Sequence, residues 1–271
     1  FADFDRDGDL DGYLLTNSTS HYGTPTIKGK GKIIDGKAVL PAEYDEVAHV
    51  LYLADGSFRV VAGGEFDYLF RNDEGKKFQD ISDAAGVRGP NHQGLSATWW
   101  DYNGDLWPDL YVANDFYGPD YVFEHNGDSQ NPRLENRVKT AVPYVPWYSM
   151  GSDIGDLNTD GYLDLMGADM AENSHYRSKV TMGDMSSDNW FLDGADPQQY
   201  MRNMLFVNSG LGTFMEAAQI AGVSSTNWSW TVRIADLDCD GLQDVFVTTG
   251  MTRDYGNADL KEAIGRIERE A

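Results

Sequence analysis

Four times along this chain, oxygen-bearing side chains fall at positions 1, 3, 5 and 9 of a nine-residue window. The windows are Asp3-Phe-Asp5-Arg-Asp7-Gly8-Asp9-Leu-Asp11, Asp101-Tyr-Asn103-Gly-Asp105-Leu106-Trp107-Pro-Asp109, Asp156-Leu-Asn158-Thr-Asp160-Gly161-Tyr162-Leu-Asp164 and Asp236-Leu-Asp238-Cys-Asp240-Gly241-Leu242-Gln-Asp244. Alternate acidic residues around a tight turn aim their oxygens at one point, where they repel one another unless a cation lies between them. An all-oxygen set in a flexible loop suits Ca²⁺ better than Mg²⁺, which demands strict octahedral geometry and keeps its waters. The position-7 carbonyls of Asp9, Trp107, Tyr162 and Leu242 would complete each shell, so up to four Ca²⁺ ions are expected. Loop 101–109 is the weakest of the four, because Leu106 stands where the others have glycine and strains the turn.

An EF-hand loop begins in the same way but needs Glu at position 12 and a helix on each side. Here position 12 is Leu14, Val112, Gly167 or Val247, and strand-like runs such as Asp109-Leu-Tyr-Val-Ala-Asn and Asp244-Val-Phe-Val-Thr-Thr follow the loops. The loops therefore read as turns between β-strands.

They sit inside a longer repeat. Leu69-Phe-Arg-Asn72, Phe78 and Ala85-Gly86-Val87 align without a gap on Leu205-Phe-Val-Asn208, Phe214 and Ala221-Gly222-Val223. A degenerate third copy is Val122-Phe-Glu-His-Asn126-Gly127, with Asn126 as its anchor. Units of about four short strands, each leaning on its neighbours, make an all-β propeller. The expected organisation is a propeller segment over 1–256 with four to five blades, insertions at about 19–66 and 170–204, and an amphipathic helix over 257–271. The helix carries an Asp259/Glu262 capping box and a Leu260, Ile264, Ile267 stripe. Phe1 enters in mid-pattern, so the first blade is expected to lack a strand, with further blades or another chain closing the ring.

The charge balance removes several classes of function. With 44 acidic against 21 basic residues, a net charge of −23 opposes binding to nucleic acid. No apolar run approaches the length of a membrane span. The single Cys239 rules out an intrachain disulfide framework, leaving metal as the staple, and the five histidines show no metal-ligand spacing. Trp99, Trp100 and Trp107 bracket the second loop; Trp228 and Trp230 precede the fourth and would share one face of an extended strand.

The Asn-x(5)-Phe-x(6)-Ala-Gly-Val element followed by D-x-[DN]-x-D-G-x-x-D resembles the FG-GAP/VCBS repeats of integrin-α-like propellers. Asp109-Leu-Tyr-Val-Ala-Asn-Asp115, Tyr148-Ser-Met-Gly151 and Met182-Gly-Asp-Met185 look like the bacterial branch related to cartilage acidic protein and ASPIC/UnbV-linked proteins. The resemblance implies seven blades when complete, Ca²⁺ in blade hairpins, and an extracellular, secreted or cell-surface (or periplasmic) location. It also implies a non-catalytic role in adhesion or recognition of a protein, matrix or glycan surface. A carbohydrate-binding propeller is the alternative, and a polysaccharide hydrolase or lyase on the same scaffold is a third reading.

Overall fold

The computed structural model describes residues 1–17, 32–34, 37–44, 48–52, 56–89, 92–182, 192, 195–250 and 257–270. The first sheet opens with β1 (Gly12–Leu14). Two isolated hairpins, β2 (Lys32–Ile34) with β3 (Lys37–Val39) and β4 (Ala48–Tyr52) with β5 (Phe58–Ala62), occupy part of the first insertion. The chain then returns as β6 (Tyr68–Asp73) and β7 (Lys77–Asp80) to give the order β1-β6-β7.

After a one-turn helix α1 (Ser82–Ala85) come β8 (Gln93–Trp100), β9 (Asp109–Asp115), β10 (Tyr121–His125) and β11 (Leu134–Asn136), a complete four-stranded antiparallel meander. Helix α2 (Val138–Ala141) and β12 (Tyr144–Pro146) lead to β13 (Ser149–Gly155) and β14 (Asp164–Asp169). Helix α3 (His175–Thr181) and β15 (Gln198–Tyr200), which pairs in parallel with β12, lie in the second insertion. Next, β16 (Met204–Asn208) and β17 (Phe214–Glu216) complete the sheet β13-β14-β16-β17. A fourth sheet pairs β18 (Ser229–Ala235) with β19 (Asp244–Thr249), and α4 (Ala258–Glu270) ends the described chain. The side chains of Asp259 and Glu262, the expected capping box, lie outside the described residues.

These four sheets are blades in series, an all-β, propeller-like build with two complete members. Both long insertions leave a blade at one place, between its second and third strands, where the second blade needs only residues 116–120. Because strands alternate in direction, the aspartate loops and the insertions stand at opposite ends of the sheets.

Three apolar cores lie between successive blades. The first joins Phe4 and Leu69 to Leu110, Val112 and Phe123. The second joins Trp100, Tyr102 and Tyr111 to Leu165, Phe206 and Phe214. The third joins Met150, Met166 and Leu205 to Val232 and Ile234, with Val245 and Val247 packed against it. The assignment follows the two-residue period of a strand. Counting from the last Asp of each loop, odd positions (Leu110, Val112, Leu165, Val245) face the preceding blade, whereas even positions (Tyr13, Tyr111, Met166) face the following one. A second strand clad on both faces must be apolar throughout, and β9 and β14 are buried along nearly their whole length.

Candidate metal centres

Each aspartate loop joins the first strand of a blade to the second: 101–109 connects β8 to β9, 156–164 connects β13 to β14, and 236–244 connects β18 to β19. Loop 3–11 leads into β1, and its ends are tied by Ala2 and Asp11, whose backbones exchange hydrogen bonds of 3.2 and 2.7 Å.

One set of internal hydrogen bonds recurs. The position-1 carboxylate accepts from the position-6 amide: Gly8 to Asp3 (3.2 Å), Leu106 to Asp101 (2.9 Å), Gly161 to Asp156 (2.9 Å) and Gly241 to Asp236 (3.0 Å). The position-5 carboxylate accepts from the position-7 amide: Asp9 to Asp7 (3.1 Å), Trp107 to Asp105 (2.8 Å), Tyr162 to Asp160 (2.9 Å) and Leu242 to Asp240 (2.8 Å). Bending the backbone this tightly puts positions 4 and 6 in the left-handed region. Arg6, Thr159 and Cys239 have φ of 60°, 58° and 64° at position 4, and Gly8, Gly161 and Gly241 have 101°, 91° and 91° at position 6. Loop 101–109 has Gly104 at position 4 and forces Leu106 to φ 70° at position 6, with its side chain 72% exposed. The expected strain is therefore present, and no burial compensates it.

The closing Asp has a second task. Its two oxygens accept from the position-2 amide and from the third strand of the same blade. For Asp11 the donors are Phe4 and Asn72 (both 2.8 Å), for Asp109 Tyr102 (3.2 Å) and His125 (2.8 Å), and for Asp164 Leu157 (3.0 Å) and Asn208 (2.9 Å). This register corrects the sequence alignment of the third copy: His125, and not Asn126, stands where Asn72 and Asn208 stand. Asn208 also crosses between blades, its amide donating to the carbonyls of Tyr102 (2.8 Å) and Leu163 (3.2 Å).

The donor set fits a hard cation. Asp3, Asp5 and Asp11 each bring one carboxylate oxygen within 4.8 Å of the others, as do Asp236, Asp238 and Asp240. In loop 3–11 one oxygen each of Asp3, Asp5 and Asp9 is buried without a hydrogen-bond donor. Burial and the neighbouring Asp11 and Asp7 push the Asp5 carboxyl up to about 6. Burial pushes Asp109 to about 7, with Asp105 and Asp101 adding to it, and raises Asp11 and Asp164. A bound Ca²⁺ would reverse this, favouring the ionised forms. In loops 101–109 and 156–164 the position-3 amides of Asn103 and Asn158 accept from Asp105 (3.0 Å) and Asp160 (3.0 Å), holding those turns in the same shape with one charge fewer.

The first two loops touch. The Trp107 ring lies parallel to His125 at 4.5 Å, and the Arg6 guanidinium sits 5.0 Å from its centroid. Phe4 meets His125 edge-on at 4.8 Å. Trp100 is buried and stacks on Phe214, and Trp99 packs into the first interblade core. Trp228 and Trp230 do not share a face, because the register of β18 shifts between Ser229 and Thr231, leaving Trp230 outside while Trp228 packs inward. The same irregularity occurs in β8 and β13, and nothing in the sequence signalled it. Sequence reasoning also passed over three inward carboxylates at the insertion end, Asp115, Asp120 and Asp169. Burial raises these to about 6, 7 and 8. Asp120 is held by Tyr111 and by Ser149 at 2.8 Å, and Asp169 by the Trp147 and Tyr148 amides at 2.9 and 2.8 Å.

Blades in series, each closed by an aspartate turn at the same place, define an all-β repeat protein of propeller-like build. Residues 101–167 and 182–247 each match the family model of the FG-GAP-like repeat, so the chain carries two FG-GAP-like repeats. No curated protein sequence matches it.

Proposed function

We propose that this chain is a calcium-stapled propeller segment that presents a non-catalytic recognition surface outside the cytoplasm, to a protein or matrix partner. One observation carries the calcium reading: four loops fold into the same turn, and in two of them three carboxylates converge within 4.8 Å of one another. Calcium binding would draw on external cation to stabilise each hairpin and, through the closing Asp, the third strand of its blade. The insertions stand at the opposite end from the loops, so their variation can set a partner without disturbing the metal turns. Kinship with the branch related to cartilage acidic protein belongs to the same reading.

The glycan alternative keeps one exposed tryptophan, Trp230 at 48%, whereas the Trp107 ring is already occupied by His125 and Arg6 within the molecule. An enzymatic reading would need a carboxylate pair facing a pocket outside the loops; of the three inward carboxylates at the insertion end, Asp120 and Asp169 are fully buried and Asp115 is partly exposed. Isothermal titration of metal-stripped protein tests the proposal: calcium should bind at up to four sites, with magnesium far weaker. Absence of calcium binding in protein shown by metal analysis to be stripped would overturn it.

A further inference from the structure

The second aspartate loop differs from the others in carrying an Asn-Gly pair, Asn103-Gly104, at positions 3 and 4. An asparagine loses its side-chain amide when the backbone nitrogen of the next residue attacks it, and glycine leaves that nitrogen least shielded. Three features set this pair up for the reaction. The Gly104 amide donates to Asp101 Oδ1 at 2.8 Å, which places a carboxylate where it can take the nitrogen's proton. Asn103 Oδ1 accepts from the Asp105 amide at 3.0 Å, so a donor already faces the oxygen on which negative charge develops. Gly104 is exposed, and nothing lies within 4 Å of the point a Cβ would occupy there, so water reaches the product.

Two comparisons within the chain single Asn103 out. Asn158 accepts from the Asp160 amide at the same 3.0 Å, but Thr159 follows it with a branched side chain. Asn126-Gly127 has the glycine, but its side chain is pinned across a turn, accepting from the Arg133 amide at 3.0 Å and donating to the Asn131 carbonyl at 3.1 Å. The indole nitrogen of Trp107 also stands 3.6 Å from the point a Cβ on Gly127 would occupy.

We propose that Asn103 is a site of spontaneous deamidation in the folded protein. The Gly104 nitrogen bonds to Cγ of Asn103 and the Cγ–Nδ2 bond breaks. The nitrogen's proton passes through Asp101 to the departing ammonia, leaving a five-membered succinimide. Water then opens the ring at either carbonyl, giving aspartate or isoaspartate; the net exchange is water in and ammonia out, with nothing oxidised or reduced. Aspartate gives the second loop the position-3 carboxylate that Asp5 and Asp238 supply in the first and fourth. Isoaspartate adds a methylene to the main chain and breaks the turn. The inference stands on hydrogen bonds within the loop and is independent of the calcium reading.

Ageing the folded whole chain in mildly alkaline EGTA buffer, followed by peptide mass mapping, provides the test. The mass gain of amide to acid should accumulate at Asn103 well ahead of Asn126 and Asn158. In urea, where the turns are gone, Asn103 and Asn126 should convert alike, a comparison that needs no variant. Asp101→Asn, shown to be folded by circular dichroism, should slow conversion at Asn103 about tenfold or more. Gly104→Thr, which copies the Asn158-Thr159 pair, should stop it. Conversion led by Asn126 in the folded protein, an intact Asn103 over a period in which the urea sample converts, or a folded Asp101→Asn variant that converts as fast as the wild type would overturn the proposal.

Discussion

At the scale of single residues, the loops distinguish side chains that ligate from side chains that shape the turn. Leu106 does neither well, since its left-handed backbone costs about 1–2 kcal/mol and its side chain lies in solvent. Leu106→Gly should therefore stabilise the protein; glycine's greater freedom in the unfolded chain takes back about 0.4–1 kcal/mol. Urea unfolding of the two proteins measures the difference, and a lower midpoint for the glycine variant would contradict the strain. Asn208 represents the opposite case: it is 2% exposed and its amide serves two carbonyls in neighbouring blades. Asn208→Ala should cost about 2–3 kcal/mol in the same assay.

Asp169 sets a pH dependence. Its carboxyl lies near 8 in the fold against 3.8 in the unfolded chain, so the folded state holds a proton that the unfolded state releases. This contribution to stability is full below the unfolded value and is lost as pH rises through about 8, and Asp120, near 7, acts in the same direction. Asp169→Asn should flatten the decline of melting temperature between about pH 5 and pH 8. An unchanged slope would mean that Asp169 is ionised in the fold.

At the scale of elements, adjacent loops lean on each other through Arg6, Trp107 and His125. Arg6→Ala removes the cation over Trp107 while leaving all side-chain ligands of loop 3–11 in place, and should cost about 0.5–2 kcal/mol of unfolding free energy. Retention of full stability would show that the stack is incidental. This contact could not be read from the sequence, because it joins position 4 of one loop to position 7 of another across a blade seam.

The loops themselves were legible, since four copies of one spacing encode a local turn whose internal side-chain hydrogen bonds run no further than seven residues. The strands after them were legible for a related reason: a segment clad on both faces is a continuous apolar run. Misplacing the third repeat on Asn126 had a physical cause. The slot requires only a backbone amide for the closing Asp, and His125 supplies that as well as Asn72 or Asn208 does. The buried carboxylates at the insertion end were hidden because their partners, such as Ser149 for Asp120 and Trp147 for Asp169, are far along the chain.

At the scale of the whole molecule, the blades share one design in which metal turns at one end hold strands whose other end carries the insertions. The acidic excess follows in part from this design, because four Ca²⁺ ions would offset eight of the 23 net negative charges. The closing aspartates make the effect cooperative in the first three blades, where Asp11, Asp109 and Asp164 each tie a loop to the third strand of their own blade. The measurement that tests this most directly is thermal unfolding of metal-stripped protein with and without added calcium, alongside Asp160→Ala. We expect a large calcium-dependent rise in melting temperature, reproduced by magnesium only weakly and smaller in Asp160→Ala. Identical melting curves with and without calcium, in protein shown by metal analysis to have been stripped, would mean that the aspartate loops are turns held by their own hydrogen bonds and not metal sites.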